Sequence, residues 1–125
     1  MLKQPYYSIE HQGGNTNMTY TSIRDHVLRT LEQELPLLTE TYGIAEIGIF
    51  GSVSRGEDTP DSDIDILYTF RPGKSTLANL SGLHEYLETL FGRNVDLVSK
   101  KWMSPILRPY IEQDVIFCGT HAGAA

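Results

Sequence analysis

The feature that most narrows what this chain can fold into is a glycine-serine pair, Gly51-Ser52, separated by ten residues from Asp63-Ile64-Asp65. From Ile47 to Leu67 the sequence reads IGIFGSVSRGEDTPDSDIDIL, an apolar strand, a tight turn, a polar loop and a second strand. Successive side chains on a strand point to opposite faces. Asp63 and Asp65 therefore project together, while Ile64 and Ile66 point the other way, toward a core. Two neighbouring carboxylates repel unless a cation sits between them, and hard oxygen ligands of this kind suit Mg²⁺, which is usually held by one or two carboxylates plus substrate phosphates.

The other half of the pattern supplies an anion site. Ile44 to Phe50 is a mostly apolar run of strand length, and Gly51 ends it where the backbone must turn tightly or approach a ligand. Ser52 is placed to cap a short helix whose first-turn amides would face a phosphate, with Arg55 adding charge and Gly56 easing the chain out. At average residue usage, Gly-Ser-x10-Asp-x-Asp arises by chance in on the order of one or two chains per thousand of this length. The competing reading is a glycine turn followed by an acidic hairpin loop, since Asp58, Pro60, Asp61 and Ser62 are ordinary turn formers.

A third carboxylate lies on Asn94-Val95-Asp96-Leu97-Val98, another β-like run with Val95 and Leu97 on one face and Asp96 on the other. If this strand pairs beside the first acidic one, three carboxylates converge. Asp96 could then hold a metal ion or accept a proton from an attacking hydroxyl.

Gly51-Ser52, Arg55-Gly56, Ser62-Asp63-x-Asp65 and Asp96 together resemble the minimal nucleotidyltransferases of the DNA polymerase beta-like superfamily, over about residues 21–119. The resemblance implies an α+β fold, a small mixed β-sheet flanked by helices. It assigns Gly51 and Ser52 to the triphosphate of ATP and Asp63, Asp65 and Asp96 to Mg²⁺. Ser54 departs from the alanine common before the family's arginine. Many such proteins are antitoxins encoded beside a HEPN-domain toxin, and some move AMP from ATP to a tyrosine of that toxin. A toxin of this kind is the partner the resemblance implies. Two alternatives stand beside this enzyme: a non-catalytic antitoxin that masks its partner, and a nucleotidyltransferase acting on a small molecule.

The 125 residues, 40% of them hydrophobic, suffice for one core. A formal charge of −6 argues against broad binding to a nucleic-acid backbone, so DNA or RNA is not expected as a partner, and it would steer a basic protein toward the surface. The single cysteine, Cys118, permits no intrachain disulfide. With no apolar run of membrane-spanning length and no signal-peptide pattern, the expected location is the cytoplasm.

Residues 1–17 read as a mobile or weakly packed extension, with Met18 as a candidate native start, residues 18–119 as the nucleotidyltransferase domain and 120–125 as a tail. Ser22 is placed to cap a helix carrying Ile23, Val27, Leu31 and Leu35 on one face. Pro36 suits the first turn of a second helix that reaches Tyr42 and stops at Gly43, with one kinked helix as the alternative. A further helix is expected from Ser75 to Phe91, striped with Leu80, Leu83, Leu87 and Leu90 and ended by Gly92. Pro109 should open a last short helix before a strand near Val115–Cys118. Gly73-Lys74-Ser75 lacks the earlier glycine of a P-loop and reads as a turn and cap. His11, His26, His84 and His121 lack metal-ligand spacing, and Trp102 is expected to anchor the last segment by burial.

Overall fold

A computed structural model describes residues 7–12 and 15–119. The first two strands, β1 (Tyr7–Gln12) and β2 (Asn15–Tyr20), pair antiparallel as a two-stranded sheet of their own. Helix α1 (Arg24–Tyr42) leads into β3 (Ile44–Phe50), a five-residue helix α2 (Gly51–Arg55) and β4 (Ile64–Phe70). Helix α3 (Leu77–Phe91), β5 (Val95–Ser99), α4 (Arg108–Asp114) and β6 (Ile116–Phe117) complete the described chain.

The central sheet runs β5-β4-β3-β6. Its β3–β4 and β3–β6 pairs are antiparallel and its β4–β5 pair is parallel, so the sheet is mixed and the fold is α+β. The two-residue period decides which side each strand residue serves. Ile47 and Ile49 of β3 and Ile64 and Ile66 of β4 are fully buried, packed with Val27, Leu31 and Leu38 of α1 and Leu83 and Leu87 of α3. Burying each such side chain contributes about 1.5–3 kcal/mol, so this layer is the main source of stability. The opposite face has a smaller cluster of Leu67, Met103 and Ile111, with Phe50, Val98 and Phe117 against it.

Helix α1 is continuous through Pro36, the single-helix alternative rather than two helices. Proline removes one helix hydrogen bond, here to the Glu32 carbonyl, at a cost of about 3 kcal/mol. Both residues sit on the exposed face, where water can hydrate that carbonyl, while Leu31 and Leu38 on either side are fully buried. Core packing therefore outweighs the local break. Gly43 ends the helix in the left-handed region at φ 78°. At the other end Ile23 holds the cap position; Ser22 accepts from the Arg24 amide at 3.1 Å but turns its own hydroxyl to Asp58.

Helix α3 begins two residues later than the spacing predicts because Thr76, not Ser75, caps it, accepting from the Asn79 amide at 3.0 Å. Its Gly82 admits the Tyr42 ring of α1, whose Cε1 lies 2.8 Å from where a Cβ would stand. Pro109 lies in the first turn of α4, as its spacing implies. Trp102 corrects the expectation of burial: it is 77% exposed, in the segment between β5 and α4, with the Lys101 ammonium over its ring.

Candidate active site

Strand β3 delivers the chain to Gly51 at φ +74°, a conformation that costs an L-residue about 1–2 kcal/mol. Here the glycine also answers a steric demand. A Cβ would strike Oδ2 of Asp65, and the Asp65 carboxyl carbon lies 3.2 Å from that position. The bend and the acidic strand are thus in van der Waals contact, since Phe50 is the register partner of Asp65 across β3 and β4.

Helix α2 starts on the bend with Phe50 as its cap, so Ser52 lies inside the first turn instead of capping it. The first-turn amides of a helix have no intrahelical acceptor and favour an anion. Ser54 is buried and donates to the Gly51 carbonyl at 2.9 Å, so the departure from alanine adds a brace to the turn. Gly56 closes the helix in the left-handed region at φ 72°.

Asp65 and Asp96 are direct register partners on parallel strands β4 and β5, and Asp63 immediately precedes β4. Burial and then the charges of Asp96 and Asp63 push the Asp65 carboxyl up to about 6, with Arg55 pulling weakly the other way. Asp63 and Asp96 are exposed. Among the described residues no three His, Cys, Asp or Glu side chains close into a metal-holding group. The donor set nonetheless fits a divalent cation: like charges at one strand end raise the proton affinity of the most buried member, and a cation between them would remove that cost. A cavity of about 460 Å³ opens on the far side of Asp63, between loop 60–63 and the turn after α3; of the three carboxylates only Asp63 lines it.

The structure thus sets Gly51 against Asp65 and pairs Asp65 with Asp96, with Asp63 just before the same strand and Ser52 next after the bend. Arg55 is engaged elsewhere, paired with Glu57 at 2.9 Å and with Asp114 of α4. Both carboxylates raise its already high pKa.

Two residues that sequence reasoning did not single out support the site. Asp58 is buried and accepts from the Tyr20 and Ser22 hydroxyls and the Ile23 amide. Burial opposes its charge, but these donors outweigh it and hold the carboxyl below its ordinary value. Arg93 donates to the carbonyls of Thr59 and Ser62. Both roles depend on partners more than 30 residues away, which no local pattern reveals.

Comparison with known proteins identifies the chain at two levels. Residues 27–120 match the nucleotidyltransferase domain family, and the chain belongs to it. It is a nucleotidyltransferase of the minimal kind. More particularly, it is 42% identical over 80 residues to the protein adenylyltransferase MntA of Thermococcus cleftensis, covering 64% of this chain and 80% of that protein. A solved structure described as a minimal nucleotidyltransferase aligns with TM-score 0.62 and 36% identity, over 73% of this chain and 92% of the other. The fold is shared as well with a structure of the tri-AMPylated Shewanella oneidensis HEPN toxin in complex with MNT antitoxin, at TM-score 0.53 and 21% identity, covering 78% and 76% of the two chains. Among the described residues no helix is long and apolar enough to cross a membrane.

Proposed function

We propose that this chain transfers AMP from ATP to the hydroxyl of a tyrosine on a partner HEPN-domain toxin, and so acts in the cytoplasm as that toxin's antitoxin. The observation that carries the reading is the pairing of Asp65 with Asp96 against the Gly51 bend, with Asp63 immediately before the same strand. Support for a protein acceptor comes from the adenylyltransferase name of the relative in Thermococcus cleftensis. The toxin as partner is supported by the complex that shares the fold.

Each residue has a task set by its place. Gly51 lets the backbone reach the triphosphate, and Ser52 with the first-turn amides of α2 binds phosphate oxygens. Asp63, Asp65 and Asp96 would hold Mg²⁺, which when bound neutralises phosphate charge and lowers the pKa of an oxygen it ligates. Burial and then its two acidic neighbours raise the Asp65 carboxyl, so a cation held there would favour its ionised form. Asp96, exposed on the edge strand, is placed to accept the proton of the incoming hydroxyl at a carboxylate oxygen. The hydroxyl oxygen attacks the α-phosphorus, the bond to the β-phosphate breaks, and pyrophosphate leaves with its electron pair.

Incubation with α-labelled ATP, Mg²⁺ and the product of the neighbouring gene tests this. Label should appear on the partner and vanish with Asp63→Asn or Asp65→Asn. A partner that stays unlabelled under the parent protein refutes protein modification. Neutralisation undiminished in both variants would favour the masking module instead.

A further inference from the structure

Arg93 lies outside the five residues assigned to phosphate and metal, yet it joins both sides of the site. It follows the Gly92 cap of α3 and precedes Asp96 by three positions, so its backbone belongs to the turn that starts β5. One guanidinium nitrogen donates to the Thr59 carbonyl at 2.9 Å and the Ser62 carbonyl at 3.2 Å; the other donates to the Tyr20 hydroxyl at 2.8 Å. The Ser62 carbonyl is part of the peptide group that leads directly into Asp63. Tyr20 in turn donates to Asp58, the residue that anchors the start of the same loop. Within the loop, the Ser62 amide donates to the Thr59 carbonyl at 3.0 Å and the Thr59 amide to the Ser62 hydroxyl at 2.8 Å.

We propose that Arg93 is a positioning residue: its three hydrogen bonds fix loop 58–62 against the start of β5 and thereby set Asp63 at a defined distance from Asp65 and Asp96. This rests on the carboxylate reading above. A planar fork suits the role, because three acceptors in different directions exceed what one flexible ammonium can hold in place. Thr59, Pro60, Asp61 and Asp63 are exposed, so hydrogen bonds rather than packing order the loop: the Asp58 anchor, the bonds within the loop, the Ile64 amide on the Asn94 carbonyl, and the fork of Arg93, which ties the loop to both Tyr20 and the turn before β5. Partners of metal ligands that act through orientation typically change metal affinity by 10–100-fold when lost.

The test uses the full chain with Arg93→Ala, Arg93→Lys and, as a milder change, Tyr20→Phe. Amide exchange measured without metal should quicken at least tenfold at residues 59 and 61–63 in both Arg93 variants, while β3 and α3 exchange at the parent rate. Mn²⁺ titration in the presence of a non-hydrolysable ATP analogue should show affinity falling about tenfold. Affinity for the analogue without metal should not change, a separation that general loss of structure would not produce. Tyr20→Phe should shift both readouts in the same direction by less. Parent-like exchange in the loop, or parent-like Mn²⁺ affinity, in the Arg93 variants overturns the proposal. Asp63→Asn separates the two levels of argument: if it also retains full Mn²⁺ affinity, the carboxylate reading fails as well.

Discussion

Gly51→Ala compared with Gly73→Ala isolates the contact on which the site depends. Both glycines have positive φ, +74° and +79°. At Gly73 an added Cβ meets nothing within 4 Å, whereas at Gly51 it meets the Asp65 carboxylate. Each alanine pays about 1–2 kcal/mol for a left-handed conformation, offset by up to about 1 kcal/mol from a stiffer unfolded chain. Only Gly51→Ala must also turn Asp65 out of its rotamer, at a further ~0.5–1.5 kcal/mol. With roughly 4 °C lost per kcal/mol for a domain of this size, the two melting points should differ by about 2–6 °C. The activity difference should be far larger. A carboxylate displaced by about 1 Å costs on the order of a hundredfold in rate, so Gly51→Ala should lose about that much transfer while Gly73→Ala keeps the parent rate. Calorimetry and labelled-ATP assays on purified proteins measure both. Equal activity in the two variants would refute the claim that this bend and Asp65 form one unit.

Other outcomes follow from the same geometry. The Asp65 carboxyl, ordinarily near 3.8, is raised to about 6 in the fold, so between those values the native state keeps a proton that the unfolded chain has lost, and stability falls as pH rises through that window. Asp65→Asn should therefore melt above the parent at pH 7.5, with the gap closing near pH 4, even though it transfers no AMP; a gap independent of pH contradicts this. Asp114→Asn removes one of the two carboxylates holding Arg55, and the KM for ATP should fall about threefold as Arg55 turns to the phosphates. A raised KM would show that Arg55 is needed where it is. Gly48→Ala places a Cβ 2.6 Å from the Ile116 carbonyl and 3.0 Å from Phe117, and should destabilise the chain by about 1–3 kcal/mol in denaturant titrations.

What could be read without coordinates was local. Alternation across Asp63-Ile64-Asp65-Ile66 placed the carboxylates opposite the core, and the ends of α1 and α3 followed from Gly43 and Gly92, because strand period and the left-handed cap depend only on neighbouring residues. The parallel pairing of β4 with β5 was a condition that the sequence could name but not meet by itself. Register brought Asp65 and Asp96 face to face.

Residues whose task is set by distant partners escaped the sequence. Asp58 reads as a turn former but is buried under Tyr20 and Ser22, and Trp102 reads as an anchor but faces solvent; the pairing of Arg55 with Asp114, 59 residues on, left no local trace. Pro36 reads as a helix boundary, yet the core on either side of it carries the helix through. Periodicity and turn chemistry act over a few residues, so they determine the strands, the helix ends and the chemical kind of the site. Hydrogen bonds, ion pairs and burial between segments tens of residues apart exist only once the chain has closed on itself, and they decide which of those groups meet.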